Sequence, residues 1–227
     1  MIADIGKTYL RGIPHKGKQI NFEYPAYRGH YGEVAGKIDH ARLKRPSSAE
    51  IASLLKDAWK KPNGEYESKI INISINDWLL EFTGNLYIPK SNKEISGGLI
   101  IEHNPTIING RLVMNGDSLV KRLYENDPLV KFVPSDFKTG KQLPKELEKN
   151  HYIIARYGEE GASKVARVSS RYKLLPHVSP LSPFKEMRGV KPRMSVLHDN
   201  FGKGLYIFCE WNFDDVCHSF GRVQEKR

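Results

Sequence analysis

Two histidines and two carboxylates, His30, Glu33, Asp39 and His40, fall within eleven residues of one another. Imidazole titrates near neutral pH and can donate, accept or bind a metal. A carboxylate beside it can orient the ring or act as a base. The set is therefore a candidate catalytic group for a hydrolase or transferase acting on a phosphate-bearing substrate, with a divalent metal ion as candidate cofactor. Its spacing is neither that of a His-Glu-x-x-His helix nor that of a Cys/His finger. The plainer reading of the same residues is a solvated, Tyr-anchored loop with local ion pairs.

A second set of candidates is cationic. Arg42, Lys44 and Arg45 precede a helix start at Ser47, where unpaired amides favour phosphate. Lys164, Arg167 and Arg171 follow one another at i, i+3 and i+7, so on a helix they form one stripe able to meet successive phosphates. Tyr157 and Tyr172 lie near that stripe and are candidates for stacking on bases. His198, Cys209, Cys217 and His218 supply zinc-ligand types, and Asp214 and Asp215 add hard donors, but no Cys-x-x-Cys pair frames them.

The charge pattern supports the cationic reading. The chain of 227 residues carries a net charge of +10, with +5 in residues 1–45 and +8 in residues 137–193. If folding brings these segments together they form one face attractive to nucleic acid or another polyanion. No phosphate-binding G-x-x-x-x-G-K-[ST] loop, G-x-G-x-x-G turn or G-x-S-x-G elbow is present. Two cysteines suit a reducing compartment better than a disulfide framework. The start lacks the order of a secretory signal, and no apolar run reaches membrane-spanning length. The expectation is a cytoplasmic protein with no membrane partner. It binds nucleic acid, RNA or single strands, through phosphates; the alternatives are the enzyme above and a scaffold without catalysis.

Several elements must position these side chains. Residues 47–60 predict a helix: Ser47 and Glu50 make a capping box, and Ile51, Leu54, Leu55 and Ala58 form one apolar stripe. Residues 65–82 carry both periods, and the longer pattern predicts a helix. Residues 97–114 read as strands turning at Asn109-Gly110. A helix capped by Asp117 is expected over 117–126, a strand over 129–133, helical turns over 144–150, a strand over 151–157 and a helix over 159–175. "MSVLH" and "GLYIFCEW" predict strands flanking a turn. The first 45 residues show little periodicity beyond a short strand at "INFEY" and predict a loop-rich start. The fold class expected is α+β, amphipathic helices packed on short, mostly antiparallel strands. One domain, 1–227, is expected, with the proline-rich stretch 176–192 as its only internal boundary.

Overall fold

The computed structural model describes residues 2–4, 7–89, 95, 97–171, 175–179, 191–199, 204–211 and 215–224. The first 45 residues hold far more regular structure than expected. Strands β1 (Ile2–Asp4), β2 (Lys7–His15) and β3 (Lys18–Glu23) form a meander, followed by β4 (Tyr27–Gly29) and helix α1 (Tyr31–His40). The hairpin escapes a period-two reading for a physical reason. The register between β2 and β3 shifts between Leu10 and Ile13, and Gly12 there has φ +75°, so Leu10 and Ile13 are both buried although three residues apart. Its turn, Lys16-Gly17, has positive φ at both residues, the conformation usually announced by Asn-Gly.

Helix α2 (Ser48–Ala58) forms as expected, with the Ser47 amide donating to Glu50 Oε2 at 2.8 Å. Helix α3 (Glu65–Asn76) stops well short of residue 82, because Trp78–Ile88 is the long strand β5. Both faces of β5 are buried, so its alternation is between apolar and polar residues that are all inside. Strands β6 (Gly98–His103), β7 (Thr106–Ile108) and β8 (Arg111–Val113) follow, the last two joined through Asn109-Gly110 as the turn chemistry predicts. Helix α4 (Gly116–Tyr124) is capped by Asn115, whose side chain accepts from the Ser118 amide, rather than by Asp117. Then come β9 (Val130–Pro134), β10 (Gly140–Lys141) and α5 (Pro144–Glu148).

Residues 151–157 are helical, not a strand. They open α6 (His151–Ser169), where Asn150 caps the Tyr152 amide. Tyr152, Ile153, Arg156 and Tyr157 are buried at i, i+1, i+4 and i+5, which is helical spacing. Gly158, at φ 70° and ψ 167°, interrupts α6 before its second half. Strands β11 (His177–Ser179), β12 (Lys191–Asp199), β13 (Leu205–Trp211) and β14 (Cys217–Ser219) complete the chain.

The main sheet has nine strands among the described residues, with the path β10-β11-β13-β12-β5-β14-β4 and β6-β9 added beside the second half of β5. Most pairings are antiparallel; β11 with β13 and β14 with β5 are parallel. Strands on both sides of the expected boundary at 176–192 join this one sheet, and much of that stretch lies outside the described residues. One face packs with α2, α3, α6 and hairpin β2–β3 around Leu79, Leu197, Ile207 and Phe22. The other packs with α1, α4 and β8 around Leu80, Phe82, Ile100 and Val196.

A polar network crosses the helix-side face. Glu81 and Arg156 are each 0% exposed and ion-paired. Glu81 also accepts from Ser48 Oγ at 2.8 Å and from the Tyr157 hydroxyl at 3.0 Å. Arg156 donates to the Tyr152 hydroxyl and to the Phe208 carbonyl, both at 2.8 Å, and to the Val196 carbonyl at 3.3 Å. The two carbonyls lie where the β12 register shifts against β13 and β5, so the guanidinium takes backbone acceptors at an irregularity of the sheet. Asn85 bridges Ser195 and Tyr152 in the same layer. Among the described residues no helix is long and apolar enough to cross a membrane.

Candidate functional site

Helix α1 separates the residues that its sequence brought close. His30 precedes its first turn, and Glu33 turns back to accept the His30 amide at 3.2 Å. His40 ends the helix, and Asp39 pairs with Arg45 at 3.2 Å. A helix rises 1.5 Å per residue, so His30 and His40 stand about 15 Å apart along its axis. All four side chains are exposed. The expected acid–base centre at His30, Glu33, Asp39 and His40 is therefore not assembled. Among the described residues no group of three or more His, Cys, Asp or Glu could hold a metal ion.

The later ligand types are likewise used otherwise. Cys217 is a buried free thiol donating to the Gly29 carbonyl at 3.4 Å, its pKa pushed up to about 12 by burial. His198 stacks on Trp78 at 4.2 Å, and its Nδ1 meets the Asp77 carbonyl at 3.0 Å. The Cys209 side chain and Asp214 lie outside the described residues.

The cations before α2 divide by role. Arg45 is a clip: besides Asp39 it donates to the Pro105 carbonyl at 3.4 Å and lies over the Phe82 ring at 5.8 Å. Arg42, with φ 56°, is an exposed turn residue after α1. The Lys44 backbone pairs with Arg222 in both directions at 2.8 Å, leaving its exposed side chain beside Lys16, Lys18 and Lys131 in a cleft.

The helical stripe divides too. Lys164 is 5% exposed, and its ammonium donates to Ser53 Oγ at 2.9 Å and the Pro14 carbonyl at 3.1 Å and pairs with Glu160 at 2.5 Å. It joins hairpin β2–β3 to α6 and α2, so it cannot serve as the expected phosphate contact. Tyr157 is buried on Glu81 and is no stacking surface, and Tyr172 lies outside the described residues. Arg167 and Arg171 are exposed as predicted. The segments of net +5 and +8 do meet: the Lys16 amide donates to Glu160, and Pro14 receives Lys164.

The partners of Arg167 and Arg171 were not anticipated. Helix α2 packs on α6 and places Lys56, Trp59 and Lys60 opposite them, around a groove of about 220 Å³ completed by Val168. Burial, then Arg167, Lys164 and Lys60, pull the Lys56 pKa down, while Glu160 opposes them. The nearest acids are committed: Asp57 holds Lys60 at 2.6 Å and Glu160 holds Lys164. The sequence signal was two i, i+4 cation pairs, Lys56/Lys60 and Arg167/Arg171, on helices that only the fold brings face to face. Four cations around an indole can hold phosphate oxygens and offer an aromatic face to a base.

No family model matches the sequence, and no curated protein matches it. Among solved structures, one described as "Accommodation of massive sequence variation in Nanoarchaeota by the C-type lectin fold" is similar with a TM-score of 0.57, covering 87% of this chain and 97% of that one at 14% identity. At that identity the likeness is one of fold: the α+β architecture of this chain is similar to the C-type lectin fold of that protein.

Proposed function

We propose that the protein binds nucleic acid, RNA or single strands, through phosphate contacts along the α2–α6 groove. The observation supporting this reading is that Lys56, Lys60, Arg167 and Arg171 line one groove with Trp59 at the C-terminal ends of α2 and α6. A cytoplasmic location goes with it, where nucleic acid is accessible and a thiol such as Cys217 stays reduced. The structural neighbour is described as accommodating massive sequence variation on its fold, which suits a scaffold whose surface side chains choose the partner. The enzyme reading loses its motive with His30 and His40 at opposite ends of α1.

Filter binding of a single-stranded oligonucleotide across salt tests the proposal. Four phosphate contacts on a single strand give a log–log slope of about −2.8, or roughly a 50-fold loss from 50 to 200 mM salt. Arg167→Glu with Arg171→Glu should abolish binding without changing the unfolding midpoint. Salt-insensitive binding, or none at 50 mM salt, would overturn the proposal and favour a scaffold role.

A further inference from the structure

The molecule carries a second basic depression that the groove does not use. Hairpin β2–β3, the start of α2, the end of β6 and the Gly158 break in α6 surround a cleft of about 460 Å³, within the size range of small-ligand sites. Lys16 and Lys18 from one hairpin, Lys44 and Lys131 reach it from three segments of the chain, all exposed and none ion-paired among the described residues. Glu50, the carboxylate that lines it, is committed to the Ser47 amide at 2.8 Å and to Arg222 at 3.1 Å. The cleft therefore keeps a positive excess.

Its interior has the opposite character. His103 and Asn104 line the cleft, and His103 Nδ1 and Asn104 Oδ1 are buried with no hydrogen-bond partner among the described residues. The Ala155 backbone favours the proton on the other ring nitrogen, and Nδ1 of the neutral ring is then an acceptor. Burial, with Lys16 and Lys131 nearby, holds the His103 pKa at about 4, so the ring is neutral at pH 7. A buried acceptor with no donor is costly, and native proteins rarely leave one. Each of the two asks for a donor.

An inorganic anion would answer the lysines and not these acceptors. An uncharged sugar would do the reverse. We infer that the cleft binds a ribose phosphate, of a free ribonucleotide or of the 3′-terminal nucleotide of an RNA, with the phosphate on Lys16, Lys18, Lys44 and Lys131 and the vicinal hydroxyls donating to His103 Nδ1 and Asn104 Oδ1. The site is separate from the α2–α6 groove and does not depend on what that groove binds.

Titration calorimetry of the full chain at pH 7.5 and low salt tests this, using adenosine 5′-monophosphate, inorganic phosphate, short RNA oligomers ending in a 3′-hydroxyl or a 3′-phosphate, and the 2′-deoxy counterparts of the nucleotide and of the oligomer's last residue. The ribonucleotide, or the RNA with a free 3′-hydroxyl alone, should bind at least about tenfold tighter than its 2′-deoxy counterpart and than inorganic phosphate. The first outcome identifies a free nucleotide as ligand and the second an RNA end. Lys18→Glu with Lys131→Glu, both exposed, should abolish binding. His103→Phe should remove the preference for the ribose, and Arg167→Glu with Arg171→Glu should leave it intact. Equal binding of ribose and deoxyribose forms, phosphate binding as well as either, no binding of any ligand, or full binding by the Lys18/Lys131 variant would each overturn the inference.

Discussion

Replacing Arg156 by leucine should destabilise the protein severely, and replacing Glu81 by leucine as well should restore part of the loss. Both side chains are 0% exposed, so neither charge has water to fall back on. Arg156→Leu leaves the Glu81 carboxylate with two neutral donors, Ser48 and Tyr157, and no cation. Breaking a buried pair by removing one partner costs about 3–5 kcal/mol. Against a total stability of about 5–15 kcal/mol that is a large fraction. Urea unfolding followed by tryptophan fluorescence reads it directly: with a slope of about 3 kcal/mol per M, the midpoint should fall by roughly 1–2 M. In Arg156→Leu/Glu81→Leu no uncompensated charge remains, although the Tyr152 and Tyr157 hydroxyls and the Val196 and Phe208 carbonyls lose partners. The double variant should therefore lose less than the two single losses combined, by about 2 kcal/mol or more. Single losses under about 1 kcal/mol, or strict additivity, would refute the view that the pair is one electrostatic unit.

Three further outcomes can be checked the same way. Because His103 is held at about 4 against an ordinary 6.5, the unfolded chain takes up a proton that the folded chain refuses, so stability should fall by about 3 kcal/mol as pH drops from 6.5 to 4; His103→Gln should flatten that part of the profile, and an unchanged profile would contradict it. Lys164→Met should cost about 2 kcal/mol by stripping a charged donor from Ser53 and Pro14, visible as a lower urea midpoint, whereas Arg167→Met should leave the midpoint unmoved. Gly158→Ala should lower the melting temperature through about 1–3 kcal/mol of backbone strain alone, since an added Cβ there would meet nothing within 4 Å.

What the sequence made legible was local. The Ser47/Glu50 box, the Asn109-Gly110 turn and the strands around residues 200–203 each announce themselves within a few residues, and β7–β8 and α2 formed accordingly. The hairpin β2–β3 was hidden by its register shift at Gly12, and two other failures trace to buried polar residues. Strand β5 hides Glu81 inside the protein, so within residues 65–82 it read as the solvent side of a helix. "HYIIARY" looked like a strand because nothing local says that Arg156 finds its acid on β5. Among the site residues, Arg167 and Arg171 were legible as an exposed pair. The burial of Lys164 was not, since it depends on Ser53 and Pro14, far off in sequence. Of the cleft only Lys44 was legible as an anion-binding candidate: the other lysines come from two distant segments, and its acceptors matter only because the fold leaves them unpaired.

The place of β14 bears on how the chain reaches its folded state. Residues 217–219 sit inside the sheet between β5 and β4, and Arg222 bridges to Phe22 and Lys44 just beyond. During synthesis β5 leaves the ribosome long before the strand that must lie beside it. Until then its flank along Trp78 and Leu79 is an open edge, able to pair with the wrong chain. Joining elements so distant in sequence also slows the search for the native topology. Assembly of the β4–β14–β5 seam must therefore wait for β14, a strand made well after the parts it joins.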